Sequence, residues 1–425
     1  MEQNAEIVSL EQLVLCNGLI LPKILTHLPF RQYLATRLVS TVWDDAVRRT
    51  IASRARIDLS LCSIVKKADD KKKTEIEEKL DSIEYLKITE LQIGIDDNLH
   101  PTIVQAFEEI GSCLTKLTVK INLEKGPDFA DFFTLLTSSP NLKELIWWGA
   151  IDENHCHNYT KVFPSVEKLS LGFYRGEMLN MGKAAVLWVT SIFPNVSTFS
   201  CLPHHREGVM RHLLGVWGDG RSAFPLLTEL TIHLMITDEE RLAPLQNIPD
   251  GLKLKVLNLS IDGKRETGSV QVFQDEDAAI LTSMLQKHSA TLEKVVLNFV
   301  NLWKPKPDVI LVPIPGIKSL KYLTVTSDFL GDISIDIKPQ PGAVFPKLLK
   351  LNLPYLWGDA LSRFLTPCEE WDATQLKCVD LNIRDKQCNI WIKRQGQKWA
   401  ENLGEIFRKN FPTAELTDWN LLCKK

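Results

Sequence analysis

One phrase, apolar-x-x-apolar-x-apolar, recurs eleven times between residues 88 and 381. It reads Ile88-Leu91-Ile93, Leu114-Leu117-Val119, Leu142-Leu145-Trp147, Val166-Leu169-Leu171, Val196-Phe199-Cys201 and Leu227-Leu230-Ile232. It continues as Leu254-Leu257-Leu259, Leu292-Val295-Leu297, Leu320-Leu323-Val325, Leu348-Leu351-Leu353 and Leu376-Val379-Leu381. The steps between first positions are 26, 28, 24, 30, 31, 27, 38, 28, 28 and 28 residues. An interval held this closely marks one supersecondary unit copied many times, each copy burying its apolar face only against its neighbours. The last three positions have the period-2 alternation of a short strand with one buried face. The first apolar residue, three positions earlier, turns the chain in from the preceding loop. Several copies share a lead-in: Ser139-Pro140-Asn141, Phe163-Pro164-Ser165, Phe193-Pro194-Asn195, Phe224-Pro225-Leu226 and Phe345-Pro346-Lys347.

Helix-like segments lie between the phrases: Phe132-Phe133-Leu135-Leu136, Ala184-Val186-Leu187-Thr190, Ala278-Ile280-Leu281-Met284-Leu285 and Ala360-Leu361-Phe364-Leu365. One strand plus one helix per unit resembles the leucine-rich repeat. That resemblance implies an α/β fold, an irregular solenoid with a curved parallel sheet and helices on the convex side. It covers residues 83–395, about 11 units. The usual Asn or Cys after the strand is mostly missing, which predicts irregular turns in place of an asparagine ladder. The step of 38 predicts an exposed insertion near residues 261–276. Residues 396–425 read as a closing amphipathic helix and a terminal strand, an end cap. Asp275-Glu276-Asp277 stands before an apolar helical run and reads as N-terminal capping.

Alternation also assigns the opposite face. Of the adjacent Trp147 and Trp148, the first takes a core position and the second the concave sheet surface. The same rule puts Ile146, Ser170, Thr231, His233, Asn258, Ser260, Thr324, Thr326, Asn352, Asp380 and Asn382 on that surface. These side chains are mostly small and uncharged. They suit hydrogen bonding to a target protein with Trp148 as anchor, and not the phosphates of a nucleic acid. Their titratable members, His233 and Asp380, stand about five repeats apart, so no catalytic constellation is expected.

The N-terminal segment has another character. Leu21, Ile24, Leu25 and Leu28 fall on one helical face before Pro29, and a second helical run carries Leu34, Leu38, Val39, Val42 and Trp43. Two short helices bury too little surface to stand alone and need a partner. Ile20-Leu21-Pro22-Lys23-Ile24-Leu25-Thr26-His27-Leu28-Pro29-Phe30 and Arg37-Leu38-Val39-Ser40-Thr41-Val42-Trp43 resemble the two halves of an F-box, here residues 12–55. The opening leucine-proline of that family is replaced by Cys16-Asn17, and Pro22 stands where the family continues its helix. The resemblance implies docking on a Skp-type adaptor of a cullin–RING ubiquitin ligase. Leu21, Ile24, Leu25, Leu28, Pro29, Leu38, Val39 and Trp43 would divide between the motif's own core and the adaptor interface. Residues 56–82 then form a linker and N-terminal cap, including the charge-rich run Lys66-Lys67-Ala68-Asp69-Asp70-Lys71-Lys72-Lys73.

Charge and cysteine usage narrow the function classes. With 50 basic against 53 acidic residues the net charge is −3, unlike a phosphate-binding chain. Nine scattered cysteines form no C-x-x-C pair, no basic leader precedes the apolar run at 19–21, and no apolar stretch is long enough to span a bilayer. A reducing cytoplasmic or nuclear compartment is expected. The motifs of nucleotide-binding loops, zinc proteases and α/β hydrolases are absent. His155-Cys156-His157 and Cys201 with His204-His205 lack a second ligand pair at zinc spacing, so no metal or other cofactor is expected. The expectation is therefore a non-catalytic ubiquitin-ligase substrate receptor; the alternative is a repeat scaffold whose N-terminal helices cap the first unit.

Overall fold

The computed structural model describes residues 20–26, 40–44, 46–47, 56–58, 90–95, 107, 111–121, 129–149, 159–172, 183–201, 223–236, 241–263, 273–300, 310–328, 335–339, 345–352, 375–380, 405, 408–409 and 414–417. The chain divides into two compact units, Met1–Gly149 and Ala150–Lys425.

In the first unit, helix α1 (Ile20–Thr26) is followed by strands β1 (Arg56–Asp58), β2 (Glu90–Ile95) and β3 (Lys116–Ile121). Helix α2 (Phe129–Ser138) and strand β4 (Glu144–Trp148) complete it. The four strands pair in chain order and all run parallel, with Leu117 level with Leu145 and Val119 with Trp147. The repeated phrase thus reappears as a repeated register. β1 adds a strand ahead of the first phrase, at the head of the segment expected to be linker. Helix α2 covers the apolar side: Phe132 packs on Trp147 with ring centroids 4.5 Å apart, and both are fully buried.

The second unit continues the pattern with β5 (Lys168–Gly172), helix α3 (Lys183–Ile192), β6 (Thr198–Cys201), β7 (Glu229–Met235), β8 (Val256–Asp262), helix α4 (Asp275–Lys287) and β9 (Lys294–Val300). Beyond them come β10 (Ile310–Ile314), β11 (Tyr322–Asp328), β12 (Ile335–Pro339), β13 (Lys350–Asn352), β14 (Cys378–Asp380) and β15 (Glu415–Thr417). Strands β5, β6, β7, β8, β9, β11, β13, β14 and β15 form one open, all-parallel ladder in that order. Such a ladder needs a crossover between every pair of strands, and the intervals of the phrase supply them. β15 is the expected terminal strand.

The lead-in has a mechanical role. In Phe163-Pro164-Ser165-Val166, Phe224-Pro225-Leu226-Leu227 and Phe345-Pro346-Lys347-Leu348 the last residue's N–H donates to the Phe carbonyl, at 3.3, 3.2 and 3.0 Å. Each is a tight turn with proline at its second position, where the ring's fixed φ is already correct. The Phe and the first apolar residue of the phrase are both buried, Phe345 and Leu348 completely. Each turn therefore pins two side chains into the core immediately before the strand. At the strand start, one carbonyl accepts two N–H groups from the next unit: Lys255 and Val256 on Thr228 O, then Glu293 and Lys294 on Lys255 O, then Lys321 and Tyr322 on Glu293 O. Side chains add to this edge in place of an asparagine ladder, as Thr228 Oγ1 donates to Ser197 O, Thr291 Oγ1 to Leu254 O and Ser319 Oγ to Leu292 O.

One expectation needs correction. A helix in every crossover is not what the described residues show, because β10 and β12 form a separate two-stranded parallel sheet there. Ile310-Leu311-Val312-Pro313-Ile314 and Ile335-Asp336-Ile337-Lys338-Pro339 are rich in β-branched residues, and Pro313 and Pro339 remove helical N–H donors. α4 packs beside β10. Between β7 and β8 the crossover contains a short 3-10 helix, Ala243–Asn247, begun by a proline in its first turn.

The acidic triplet at the start of α4 does more than capping. Gln274 is the N-cap, and its backbone N–H donates to Asp277 Oδ2 at 2.8 Å. Asp277 is itself fully buried and accepts a forked contact from Arg241, Nε to Oδ1 at 2.9 Å and a guanidinium NH2 to Oδ2. Arg241 sits at φ 44°, a left-handed conformation that non-glycine residues adopt at an energetic cost. The ion pair thus fastens the β7–β8 crossover to α4 of the following unit.

Candidate functional site

Along each strand of the ladder the buried residues point to one side and the half-buried ones to the other, as in β8, where Leu257, Leu259 and Ile261 are core and Asn258, Ser260 and Asp262 are not. Register carries that division across strands. In the second unit the row Ser170, Ser200, Thr231, Asn258, Val296, Thr324, Asn352, Asp380 runs strand by strand across the sheet. A second row, His233, Ser260, Asn298, Thr326, lies two residues further along. Every predicted open-face residue of this unit that the structure describes therefore falls on two adjacent rows: Ser170, Thr231, His233, Asn258, Ser260, Thr324, Thr326, Asn352 and Asp380. Asn382 lies outside the described residues. In the first unit Ile146 and Trp148 share the half-buried side of β4, and Trp147 is core as expected.

Members of the rows hold one another in place. Asn258 Nδ2 donates to Thr231 Oγ1 at 3.1 Å. Asn298 Nδ2 reaches Ser260 Oγ at 3.4 Å, and Thr326 Oγ1 donates to Asn298 Oδ1 at 2.7 Å. His233 Nε2 lies 3.5 Å from Asp262 Oδ2 at the side of the second row. Meanwhile Asn258 Oδ1 and Asn352 Oδ1 are screened from solvent with no hydrogen-bond donor. An acceptor in that state carries an energetic cost. Ser200, Val296, Asn298 and Asp262 belong to this surface but were not singled out from sequence. The signal for them was the same alternation, applied to every phrase.

The surface offers hydrogen-bond donors and acceptors of fixed position. Cys201 lies on the core side, and burial pushes its thiol up to about 12. Its neighbours in sequence, His204 and His205, and the set His155-Cys156-His157 lie outside the described residues. Among the described residues no group of three His, Cys, Asp or Glu could hold a metal ion, and no helix is long and apolar enough to cross a membrane.

At the N-terminus, Leu21 and Leu25 of α1 are fully buried in a small cluster with Ala46 and Val47, against which Trp43 packs. Residues 41–44 and 46–47 are helical, and Ser40 caps them by accepting the Trp43 N–H on its hydroxyl at 3.3 Å. Ile24 and Trp43 remain half-buried, and Val42 is exposed. Leu28, Pro29, Leu38 and Val39 lie outside the described residues. A scan against protein-family models and a search of curated proteins both return no match.

Proposed function

We propose that this chain is a non-catalytic substrate receptor, an F-box protein with leucine-rich repeats, acting in the cytoplasm or nucleus. Its helical N-terminal segment docks a Skp-type adaptor of a cullin–RING ubiquitin ligase, and the open face of its sheet holds a target protein. No cofactor, nucleic acid or membrane takes part. The contribution to ubiquitin transfer is effective concentration: two partners held on one chain meet at a rate set by geometry.

The observation that carries the target-binding half is the pair of open-face rows. Eight of the parallel strands, β5 to β9, β11, β13 and β14, pack one side with apolar side chains and present, on the other, ordered hydroxyls and amides. A surface of this kind reads the amides and hydroxyls of a protein segment. The adaptor half is supported by how α1 and the helical residues 41–44 and 46–47 divide their apolar side chains. Leu21 and Leu25 serve the segment's own core, whereas Ile24, Trp43 and Val42 keep apolar area in contact with water. Fully burying an exposed side chain of this size contributes about 1.5–3 kcal/mol, and the area these residues still expose contributes in proportion to a docked complex.

The test is a pull-down of purified adaptor by the full chain and by an Ile24→Asp, Trp43→Ala variant with an unchanged circular dichroism spectrum. Capture by the wild type and at least tenfold weaker capture by the variant are expected. Absence of capture by a folded wild type would overturn the receptor reading and leave a repeat scaffold.

A further inference from the structure

The ends of the strands carry a feature that the near-neutral charge of the chain conceals. Where the chain enters strands β8, β9, β11, β13 and β14 of the second unit, Lys253, Lys255, Lys294, Lys318, Lys347 and Lys377 are all exposed. No carboxylate among the described residues lies within ion-pair distance of any of the six. Two further lysines of this edge are matched, Lys321 to Glu293 at 2.6 Å and Lys350 loosely to Asp380 at 4.0 Å. The repeat phrase itself generates the edge: five of these eight lysines directly follow or directly precede the first apolar residue of a copy, in Lys253-Leu254-Lys255, Leu320-Lys321, Lys347-Leu348 and Leu376-Lys377. Five neighbouring strands at about 4.8 Å spacing bring the charges into a strip ~19 Å long. That strip is comparable to two screening lengths at physiological salt, so its charges act together on a bound chain.

Within the strip, register places exposed Tyr322 between Lys294 and Lys350. An exposed tyrosine flanked by cations is an apolar anchor in a basic setting, the kind of residue that concentrates binding energy. The strip already favours carboxylates. Glu293 is held below the usual carboxylate range by its hydrogen bond from Lys321 and by the charges of Lys321, Lys255 and Lys347, although what burial it has acts in the opposite direction.

We infer that this lysine edge is a docking site for an acidic, extended segment of a protein partner, carrying glutamates or aspartates around an apolar residue that seats on Tyr322. Three observations favour a peptide over a nucleic acid. All eight cations are lysines, compact point charges, with none of the planar arginine forks that read phosphates and bases. Among the described residues of the strip one exposed aromatic is present, whereas single-stranded nucleic acid is held by successive stacking platforms. The strip is also short: a longer polyanion would run past it onto a chain that is net acidic without these lysines. An extended peptide of about six residues spans the same ~19 Å.

The edge belongs to the second unit and α1 to the first, and the inference stands whether or not the chain docks an adaptor. It is tested on the full-length chain by fluorescence anisotropy with two labelled probes. One is a twelve-residue glutamate peptide with a central phenylalanine, the other a twenty-nucleotide oligodeoxythymidylate. The peptide is expected to bind, to weaken steadily as salt is raised, and to lose more than tenfold in affinity in the Lys294→Glu, Lys347→Glu, Lys377→Glu variant. Tyr322→Ser is expected to weaken that peptide but not an all-glutamate control. Should charge reversal disturb folding, Lys→Gln at the same three positions is expected to give a loss of the same sign. The inference is overturned if the folded wild type ignores the peptide, if the lysine variants bind it equally well, or if the oligonucleotide binds more tightly than the peptide.

Discussion

Replacing Asp277 by Asn tests the pair that ties the β7–β8 crossover to α4. Asn is nearly isosteric and retains one acceptor for the Gln274 N–H, which the carboxylate holds at 2.8 Å, so most of the cap survives. What is lost is the charge opposite Arg241 and one arm of the fork. The Arg241 side chain is only 15% exposed and Asp277 is fully buried, so water cannot fully replace the missing anion. Removing one partner of a pair this buried costs about 3–5 kcal/mol, much of it for the cation left behind. Denaturant or thermal unfolding should therefore show a stability loss in that range, equivalent to ~6–10 °C in midpoint for a unit of this size. Replacing both partners with apolar residues, Arg241→Met with Asp277→Leu, should recover most of the loss, because neither charge then remains buried. The left-handed backbone at residue 241 is common to all three proteins and cancels in the comparison. A loss below about 1 kcal/mol for Asp277→Asn, or a double variant as damaged as the two singles combined, would refute this account of the pair.

Three further outcomes are expected. His288 is buried, its pKa is lowered first by desolvation, and its Nε2 has no hydrogen-bond partner. The folded chain therefore binds that proton less readily than the unfolded one, and stability is retained above the usual histidine range and falls as pH drops through it, by at most about 1.4 kcal/mol per pH unit; His288→Gln should flatten that slope in unfolding curves between pH 7 and 5. Gly111→Ala should destabilise the first unit by at least about 1–3 kcal/mol, because the added Cβ would meet the Ser138 carbonyl oxygen at 2.1 Å and that oxygen belongs to backbone; a neutral effect in denaturant titration would contradict the packing described. In native alkylation followed by mass spectrometry, exposed Cys113 should react readily while buried Cys201, with its thiol raised to about 12, should be protected until the chain unfolds.

Much of the architecture was legible because its cause is local. A phrase with period-2 alternation must bury alternate side chains whichever strand it sits beside, so Leu257 and Leu259 in the core, Asn258 and Ser260 outside, and the split between Trp147 and Trp148 all followed from one rule. The helices at 129–138, 183–192 and 275–287 were visible for the same reason, as apolar residues at helical spacing. The crossovers at β10 and β12 were harder to read, since short apolar runs do not by themselves distinguish strand from helix. Leu21 and Leu25 could be placed on an apolar face, but which members of that face turn inward depended on where Ala46 and Val47 arrive.

The sequence alone determined that the chain repeats one strand-bearing unit, which side of each strand is buried, and that the exposed side is polar and largely uncharged. Only the tertiary structure decided what meets across units. Arg241 finds Asp277 across 36 residues. Lys294 and Lys350, far apart in sequence, come to flank Tyr322 on one edge. The physical reason is that alternation is a property of a single strand, whereas charge pairing and charge clustering depend on register. Register is set by how every crossover packs, and that is a property of the folded ladder as a whole.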